Sequence, residues 1–223
     1  MRRAKRSRTV FEAESPFVGR VRVIEDQKER RLMVHGETLS VFPTNGDWSG
    51  VRREYWWHAV AEARLPQRPR ALIVGLGGGT QLHLLRELAR PRELVAVERD
   101  PVILHAAYEW FGLRELGGVE YLCTDADTAA ATLAASNRRF EFVMEDVDYG
   151  DGGERSVPLA RALATLVAPR GVLVANRHRR REASVLIDAL TPLFEQVRER
   201  RVRREGENVL VVAARPLRRS GAS

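Results

Sequence analysis

The chain has 223 residues, of which 44% are hydrophobic and 30% charged, enough apolar material for one globular domain of ordinary size. This composition excludes a disulfide-stapled miniprotein and a fully disordered chain. No stretch approaches the roughly 18 consecutive apolar residues of a membrane helix, and the basic start MRRAKRSR is not followed by the apolar core of a secretion signal. We therefore expect a soluble, cytoplasmic protein without a membrane partner.

The formal net charge is +7 and is concentrated in arginine-rich segments: residues 1–10, 177–181, 198–204 and 215–219. Clustered arginines can bind phosphate groups, so a nucleic-acid partner is one hypothesis. It is the less favoured one, because neither an RNA-binding signature nor an aromatic platform accompanies these segments. The single cysteine, Cys123, lacks the surroundings of a metal ligand, which predicts a buried structural thiol and no metal.

The first 65 residues predict a basic tail and a small β-layer. Residues 1–14 show no apolar periodicity, which favours a mobile tail. From Ser15 two β-rich runs surround the polar EDQKE turn, and this pattern predicts a β-hairpin that Thr38–Phe42 continues. A helical pattern over Arg52–Leu65 ends at Pro66, so residues 15–65 form a hairpin region and a linking helix.

Residues 66–223 alternate strand and helix patterns at the spacing of βαβ units. The predicted strands are 71–74, 94–98, 119–123, 140–146, 171–175, 196–203 and 208–214. The predicted helices are 80–89, 101–111, 127–135, 157–167 and 182–194. The last two strands flank the tight REGEN turn, so they pair as a hairpin. The pattern predicts an α/β fold: a seven-stranded, doubly wound, Rossmann-like sheet with an antiparallel edge, next to the small N-terminal β-hairpin layer.

A glycine loop follows the first strand of this region. Gly75, Gly77, Gly78 and Gly79 allow a tight turn and let a ligand approach the backbone amides at the start of the next helix. Glu98 ends the following strand, where a carboxylate can accept both hydroxyls of a ribose. Together these residues predict a nucleoside site.

The loop favours S-adenosylmethionine over a dinucleotide. Thr80 stands where the dinucleotide fingerprint has its third glycine, and the loop is wider. Asp125, just after the strand that ends at Cys123, could accept the adenine amino group. It could equally cap the helix that follows, and the sequence leaves both interpretations open.

The strand FEFVMEDVDYG carries three acids at its carboxyl end. In such sheets ligands bind beyond the carboxyl ends of the strands, so Asp146 is expected to face the reactive end of the cofactor. Strand alternation places Asp148 on the same side and Glu145 on the other. An acid at this place can serve as general base towards an amine or orient it, or it can be a solvated loop acid.

From Ser15 onward the chain is similar to the spermidine synthase (polyamine aminopropyltransferase) family, especially its bacterial spermidine-synthase-like branch. The similar segments occur in the family's order: SPFVGRVRVIED, RRLMVHGE, IVGLGGGTQLHLLREL, VAVERDPVILHAAYEWFGL, CTDADT, FEFVMEDVD, APRGVLVAN and ENVLVVAARP. The resemblance implies a Rossmann-like methyltransferase-type fold with Glu98 on the ribose, Asp125 on the adenine and Asp146 as the catalytic acid. It also implies a homodimer or a tetramer.

The chain departs from the family where a polyamine would bind. Gly78 replaces the loop acid that holds the aminopropyl amine, Tyr149 replaces the second acid of the catalytic element, and the tyrosine-histidine-glutamate triplet is lost near His58. Removing acids that pair with cationic amines lowers affinity for a polyamine. A loop acid would also repel the carboxylate of ordinary S-adenosylmethionine, which its decarboxylated form lacks, and a glycine removes that repulsion.

The acceptor is expected between the N-terminal hairpin and the sheet. Asp148, Tyr149 and Tyr55 are candidate substrate-binding residues, and Tyr55 with Trp56 and Trp57 forms either an apolar wall or part of the core. His35 and His58 are interpreted as structural.

The first hypothesis is a transferase that moves a methyl group from S-adenosylmethionine to a small acceptor. The alternatives are an aminopropyltransferase that uses decarboxylated S-adenosylmethionine and a polyamine, and a non-catalytic nucleoside- or nucleic-acid-binding protein.

Overall fold

The computed structural model describes residues 7–147, 149, 156–203 and 207–217. The N-terminal part of this range is an antiparallel four-stranded sheet with its strands in chain order. Its strands are β1 (Arg8–Ser15), β2 (Gly19–Glu25), β3 (Glu29–Val34) and β4 (Glu37–Pro43). The predicted hairpin is therefore the middle of a larger sheet.

Strand β1 corrects the assignment of residues 1–14 to a mobile tail, which is wrong for residues 8–14. The pairing of β1 with β2 contains a bulge between Thr9 and Phe11. Because a bulge breaks the two-residue alternation, Val10 and Phe11 both pack against the apolar cluster beneath this sheet. The sequence of β1 therefore lacks the regular apolar alternation that predicts a strand.

The second sheet has seven strands within the described residues, in the order β10-β11-β9-β8-β5-β6-β7. They are β5 (Arg70–Val74), β6 (Glu93–Glu98), β7 (Val119–Cys123), β8 (Phe140–Glu145), β9 (Val167–Arg177), β10 (Phe194–Arg203) and β11 (Glu207–Pro216). β5 to β9 pair in parallel, whereas β11 pairs antiparallel with both β9 and β10. The predicted fold class is confirmed.

Helices cover both faces of this sheet. They are α1 (Tyr55–Ala61), α2 (Thr80–Ala89), α3 (Pro101–Trp110), α4 (Leu113–Leu116), α5 (Ala126–Ala135), α6 (Ser156–Ala164) and α7 (Arg180–Leu190), with a 3-10 helix at Trp48–Arg53. Side chains of α5, α6 and α7 form the apolar core on one face, and side chains of α1 and α2 form the core on the other. A third cluster joins the N-terminal sheet to α3. Because both faces are covered, the parallel strands are almost entirely apolar.

Three contacts between buried groups dock the N-terminal sheet onto this domain. The hydroxyl of Ser15 donates to Asp100 at 2.5 Å. The hydroxyl of Thr80 donates to the carbonyl of Val41 at 2.9 Å and accepts from its amide at 3.0 Å. Ser40 accepts from the amide of Gly78 at 2.7 Å. The glycine loop is therefore held by the N-terminal sheet as well as by its own strand.

Two further expectations differ from the structure. The helix expected over residues 52–65 is divided at Glu54, whose extended backbone separates the 3-10 helix from α1. Cys123 is exposed rather than buried, because it ends β7 at the edge of the sheet. None of the helices in the described ranges combines the length and apolar character that a membrane crossing needs.

Candidate functional site

The glycine loop Gly75–Gly79 joins β5 to α2 and lies against the end of β8. Gly75 has φ +89°, and a Cβ there would lie 2.2 Å from the carbonyl oxygen of Asp146. A side chain at this position is excluded both by backbone conformation and by space. The glycine therefore lets the ends of β5 and β8 approach each other.

The amides of the loop are paired within the chain. The amides of Gly75 and Leu76 donate to Val97, and that of Gly79 donates to Leu76. The remaining two donate to side chains: Gly77 to Glu98 at 3.1 Å and Gly78 to Ser40 at 2.7 Å. The loop is thus preformed, and a ligand that needs one of these amides must displace an existing partner.

Gly78 has no space for a side chain. A Cβ on this residue would lie 2.7 Å from Cβ of Ser40 and 2.9 Å from Cδ1 of Phe111. The residue that replaces the family's loop acid is therefore enclosed by the N-terminal sheet and by the end of α3.

Glu98 ends β6 directly beneath the loop and is 9% exposed. One carboxylate oxygen accepts from the amide of Gly77 and the other from the amide of Asp100, each at 3.1 Å. Burial raises the pKa of this carboxyl, although the two backbone donors oppose the shift. Each oxygen keeps a lone pair, so the residue fits the predicted role of accepting ribose hydroxyls.

Asp125 is the N-cap of α5. Its carboxylate accepts from the amide of Thr128 at 2.8 Å and from the Thr128 hydroxyl at 2.7 Å. These hydrogen bonds hold the pKa of the Asp125 carboxyl below its usual value. The capping interpretation is present in the structure, while contact with an adenine stays a prediction.

Asp146 follows β8 and is partly buried at the centre of a hydrogen-bond network. Its Oδ2 accepts from the hydroxyl of Tyr55 at 2.8 Å, and its Oδ1 accepts from the side-chain amide of Asn176 at 2.9 Å. Burial raises the pKa of Asp146, and both donors act in the opposite direction. Burial and the neighbouring carboxylate raise the pKa of Tyr55 well above its usual value, so the phenol keeps its proton and remains a donor.

Asn176 and Asn208 belong to this network, and sequence reasoning missed both. Asn176, at the end of β9, is 4% exposed and also donates to the side chain of Asn208 on β11 at 3.1 Å. Its own Oδ1 is buried and has no hydrogen-bond partner among the described residues. The available signal was a polar residue at the carboxyl end of an apolar strand next to the one that carries Asp146.

Glu145 and Tyr149 lie on the opposite side of the strand from Asp146. Glu145 is fully buried and pairs with Arg177 at 2.6 Å. The hydroxyl of Tyr149 donates to Glu145 at 3.2 Å, and the Arg177 guanidinium lies 5.3 Å from the centre of the Tyr149 ring. The structure therefore does not bring Tyr149 to Asp146. Asp148 lies outside the described residues.

The structure places the other aromatic and histidine candidates away from Asp146. Trp56 is buried in the core and packs against Tyr55, with the ring centres 4.8 Å apart. His58 lies 3.3 Å from Glu62, and His35 is in the turn between β3 and β4. Of the three aromatic wall candidates, Tyr55 is the one that reaches Asp146.

No group of three or more His, Cys, Asp or Glu side chains in the described ranges is arranged to hold a metal ion. Glu98 is a buried carboxylate beneath a preformed glycine loop, and Asp146 follows β8, which is separated from β6 by β5 alone. This arrangement fits a nucleoside ligand. Contact of Glu98 or Asp146 with such a ligand stays a prediction.

The fold and these positions define a class: a Rossmann-like α/β domain of the type shared by methyltransferases and spermidine synthases. No protein-family model matches the chain. The chain is 30% identical over 152 residues to the eEF1A lysine and N-terminal methyltransferase of Danio rerio. This match covers 63% of the chain and 22% of the relative, so the chain spans about a fifth of that protein's length.

Solved structures agree on the fold. A spermidine synthase in complex with the transition-state analogue AdoDATO has a TM-score of 0.68 at 15% identity, covering 93% of this chain and 74% of its own. The spermidine synthase of Thermotoga maritima has a TM-score of 0.66 at 14% identity, covering 93% and 73%. Human methyltransferase-like protein 13 in complex with SAH has a TM-score of 0.62 at 21% identity, covering 77% and 85%. The fold resemblance to spermidine synthases is confirmed, and membership of their bacterial branch stays a prediction.

Proposed function

We propose that this chain is an S-adenosylmethionine-dependent transferase that moves a methyl group to a small nucleophilic acceptor at Asp146. The observation that carries the proposal is the Asp146 carboxylate, which Tyr55 and Asn176 hold beside the glycine loop. The curated relative and the neighbours with SAH or AdoDATO support the cofactor class.

Glu98 and the loop Gly75–Gly79 would hold the nucleoside, with Asp125 a candidate for the adenine. The bound cofactor supplies an electrophilic methyl group on a sulfonium. The chain itself would contribute the positioning of the cofactor, because hydrogen bonds fix the glycine loop and Glu98 before any ligand binds.

Asp146 would accept the proton that the acceptor's nucleophile loses. Its carboxylate is desolvated, so it binds a proton more tightly than an exposed aspartate does. Tyr55 and Asn176 fix its direction by donating to both oxygens, and these hydrogen bonds oppose the rise in pKa that burial causes.

Enclosure of Gly78 favours methyl transfer over aminopropyl transfer. An aminopropyl group brings a cationic amine, and the loop that would receive it has no space for an acid at position 78. The 30% identical relative is also a methyltransferase by name.

An aminopropyltransferase with other amine contacts is the second candidate, favoured by the coverage of spermidine synthase structures. The homodimer implied by the sequence resemblance stays a prediction.

Calorimetric titration tests the cofactor. We expect the purified chain to bind S-adenosylmethionine more tightly than its decarboxylated form, and Glu98→Ala to weaken that binding. Preference for the decarboxylated form would replace methyl transfer by aminopropyl transfer. Binding of neither would overturn the transferase.

Asp146→Asn tests the catalytic step once an acceptor has been found by screening. We expect a loss of about 10²–10⁴ in turnover with cofactor affinity nearly unchanged, since a general base contributes about that much. Asp188→Asn, at an exposed aspartate of α7, is the matched control and should leave turnover intact. Equal turnover of both variants would remove Asp146 from the mechanism.

A further inference from the structure

An open cavity of about 550 Å³ lies where the end of β4 and the 3-10 helix meet α2, α3 and α4. It shares no lining residue with the Asp146 network. The cavity is lined by Arg30, Phe42, Pro43, Thr44, Gly46, Trp48, His83, Glu109, Gly112, Glu115 and Leu116. This volume is in the range of small-molecule sites, roughly 300–1,000 Å³.

Three rings form one aromatic wall of this cavity. Trp48 is stacked on His83 with the ring centres 5.3 Å apart and the planes at 25°. Phe42 lies 5.1 Å from His83 and 6.1 Å from Trp48. Aromatic faces attract cations as well as apolar groups, because the ring quadrupole places negative charge above and below the plane.

The histidine in this wall is neutral. Burial lowers the pKa of His83, outweighing the hydrogen bond to Phe111 and the charge of Glu115. Its Nε2 donates to the carbonyl of Phe111 at 2.7 Å, since a carbonyl only accepts. At neutral pH the wall therefore carries no positive charge of its own.

The remaining charges leave one free carboxylate. The guanidinium of Arg30 is engaged by Glu25 at 2.6 Å and by the carbonyl of Trp110 at 2.9 Å. Glu109 pairs with Arg114. Glu115 is exposed, and among the described residues it has no ion-pair partner. The lining of the cavity thus combines an unpaired carboxylate with aromatic rings.

We propose that this cavity is a binding site for an organic cation, a guanidinium or ammonium group on a short alkyl stem. The stem would pack on Phe42 and Trp48, and the charged group would pair with Glu115. Such a cation can come from a free small molecule or from an arginine or lysine side chain of a peptide.

Titration of the cofactor-free full-length chain with n-butylguanidinium and with its neutral analogue n-butylurea tests the site. We expect the cation to bind more tightly than the urea. Glu115→Gln should weaken cation binding by about fivefold or more and leave urea binding unchanged, because it removes charge without changing shape. Glu87→Gln, at an exposed glutamate of α2 outside the cavity, is the control and should change neither.

Trp48→Ala gives a second arm, read together with a thermal melt of the variant. A folded variant should bind neither probe. Equal affinity for cation and urea, insensitivity to Glu115→Gln, or lack of cation binding by the parent chain would each overturn the proposal. Tighter binding of acetyl-Gly-Arg-Gly-amide than of n-butylguanidinium would assign the site to a peptide side chain, and the reverse to a free molecule. The test uses no cofactor, so its failure is distinguishable from failure of the proposed function.

Discussion

At the scale of single residues, the site depends on how burial and hydrogen bonding together set the pKa of the partly buried Asp146 carboxyl. Desolvation raises the pKa of Asp146, and its hydrogen bonds with Asn176 and Tyr55 lower it again. Removing one donor therefore shifts the balance towards the protonated form, which cannot accept a proton.

Tyr55→Phe removes one of these donors and keeps the ring. We expect the acidic limb of the pH dependence of turnover to move to higher pH, because the pKa of Asp146 rises when the phenol no longer donates to it. Tyr108→Phe, at an exposed tyrosine of α3, should leave the limb in place. An unmoved limb in Tyr55→Phe would mean that another group governs the profile.

Gly75→Ala separates backbone strain from collision. In Gly75→Ala the new Cβ would lie 2.2 Å from the carbonyl oxygen of Asp146, and the alanine would also have to adopt φ +89°. Gly36→Ala is a matched control, because Gly36 has φ +83° and nothing within 4 Å of a built Cβ. We expect Gly36→Ala to lower the free energy of unfolding by about 1–2 kcal/mol and Gly75→Ala by clearly more, as measured by urea titration. Equal losses would show that the ends of β5 and β8 can separate without cost.

Local sequence correctly placed Glu98 and Asp146 at the carboxyl ends of apolar strands, while their roles stay predictions. It could not join Asp146 to Tyr55, which is 91 residues away, or to Asn176, which is 30 residues away. Those contacts depend on strand order, with β9 beside β8, and on the packing of α1. Likewise, the enclosure of Gly78 depends on Ser40 in another sheet.

At the scale of elements, buried parallel strands were predictable and the N-terminal sheet only in part. β5 and β6 are continuous apolar runs because helices cover both of their faces. β1 was missed because its bulge brings two successive residues to the inner face. The break at Glu54 was missed because the residues on both sides have helical character.

Removing one oxygen atom tests the hydrogen bond that joins the end of β1 to the start of α3. Ser15→Ala removes the donor to Asp100, whose side chain is 1% exposed and caps α3 through Val102 and Ile103. We expect the free energy of unfolding to fall by about 1–3 kcal/mol, because a buried carboxylate oxygen loses its partner and the amides of Phe17 and Val18 lose the hydroxyl that accepts from them. Ser136→Ala removes an exposed hydroxyl at the end of α5 and should cost less than about 0.5 kcal/mol in the same urea titration. Equal costs would mean that solvent reaches Asp100.

At the scale of the whole molecule, much of the arginine charge is used within the chain. Arg177 pairs with buried Glu145, and Arg198 and Arg200 both pair with Glu62, the C-cap of α1. Some of the clustered arginines are thus matched with acids that lie far away in the chain. The nucleic-acid hypothesis stays untested, and these pairs remove part of the free charge on which it depended.

Such pairs make stability depend on pH, and Glu141 is the clearest case. Burial alone would raise the pKa of Glu141, but the side chain and the amide of Arg70 both donate to its carboxylate. The pKa of Glu141 is therefore lower than its usual value of 4.5. The ionised form is therefore favoured by folding. Its contribution is fully present above about pH 4.5 and is lost as the pH falls through the lower pKa of the folded state.

Glu141→Gln should remove that dependence while keeping a carbonyl for the Arg70 amide. We expect the variant to be less stable than the parent by about 1 kcal/mol at pH 7, with the difference shrinking towards pH 3, because protonation removes the same charge from the parent. Urea unfolding at several pH values measures both slopes. Glu37→Gln, at an exposed glutamate that begins β4, should instead run parallel to the parent throughout. A constant gap for Glu141→Gln would show that the carboxylate stabilises the chain by shape and not by charge.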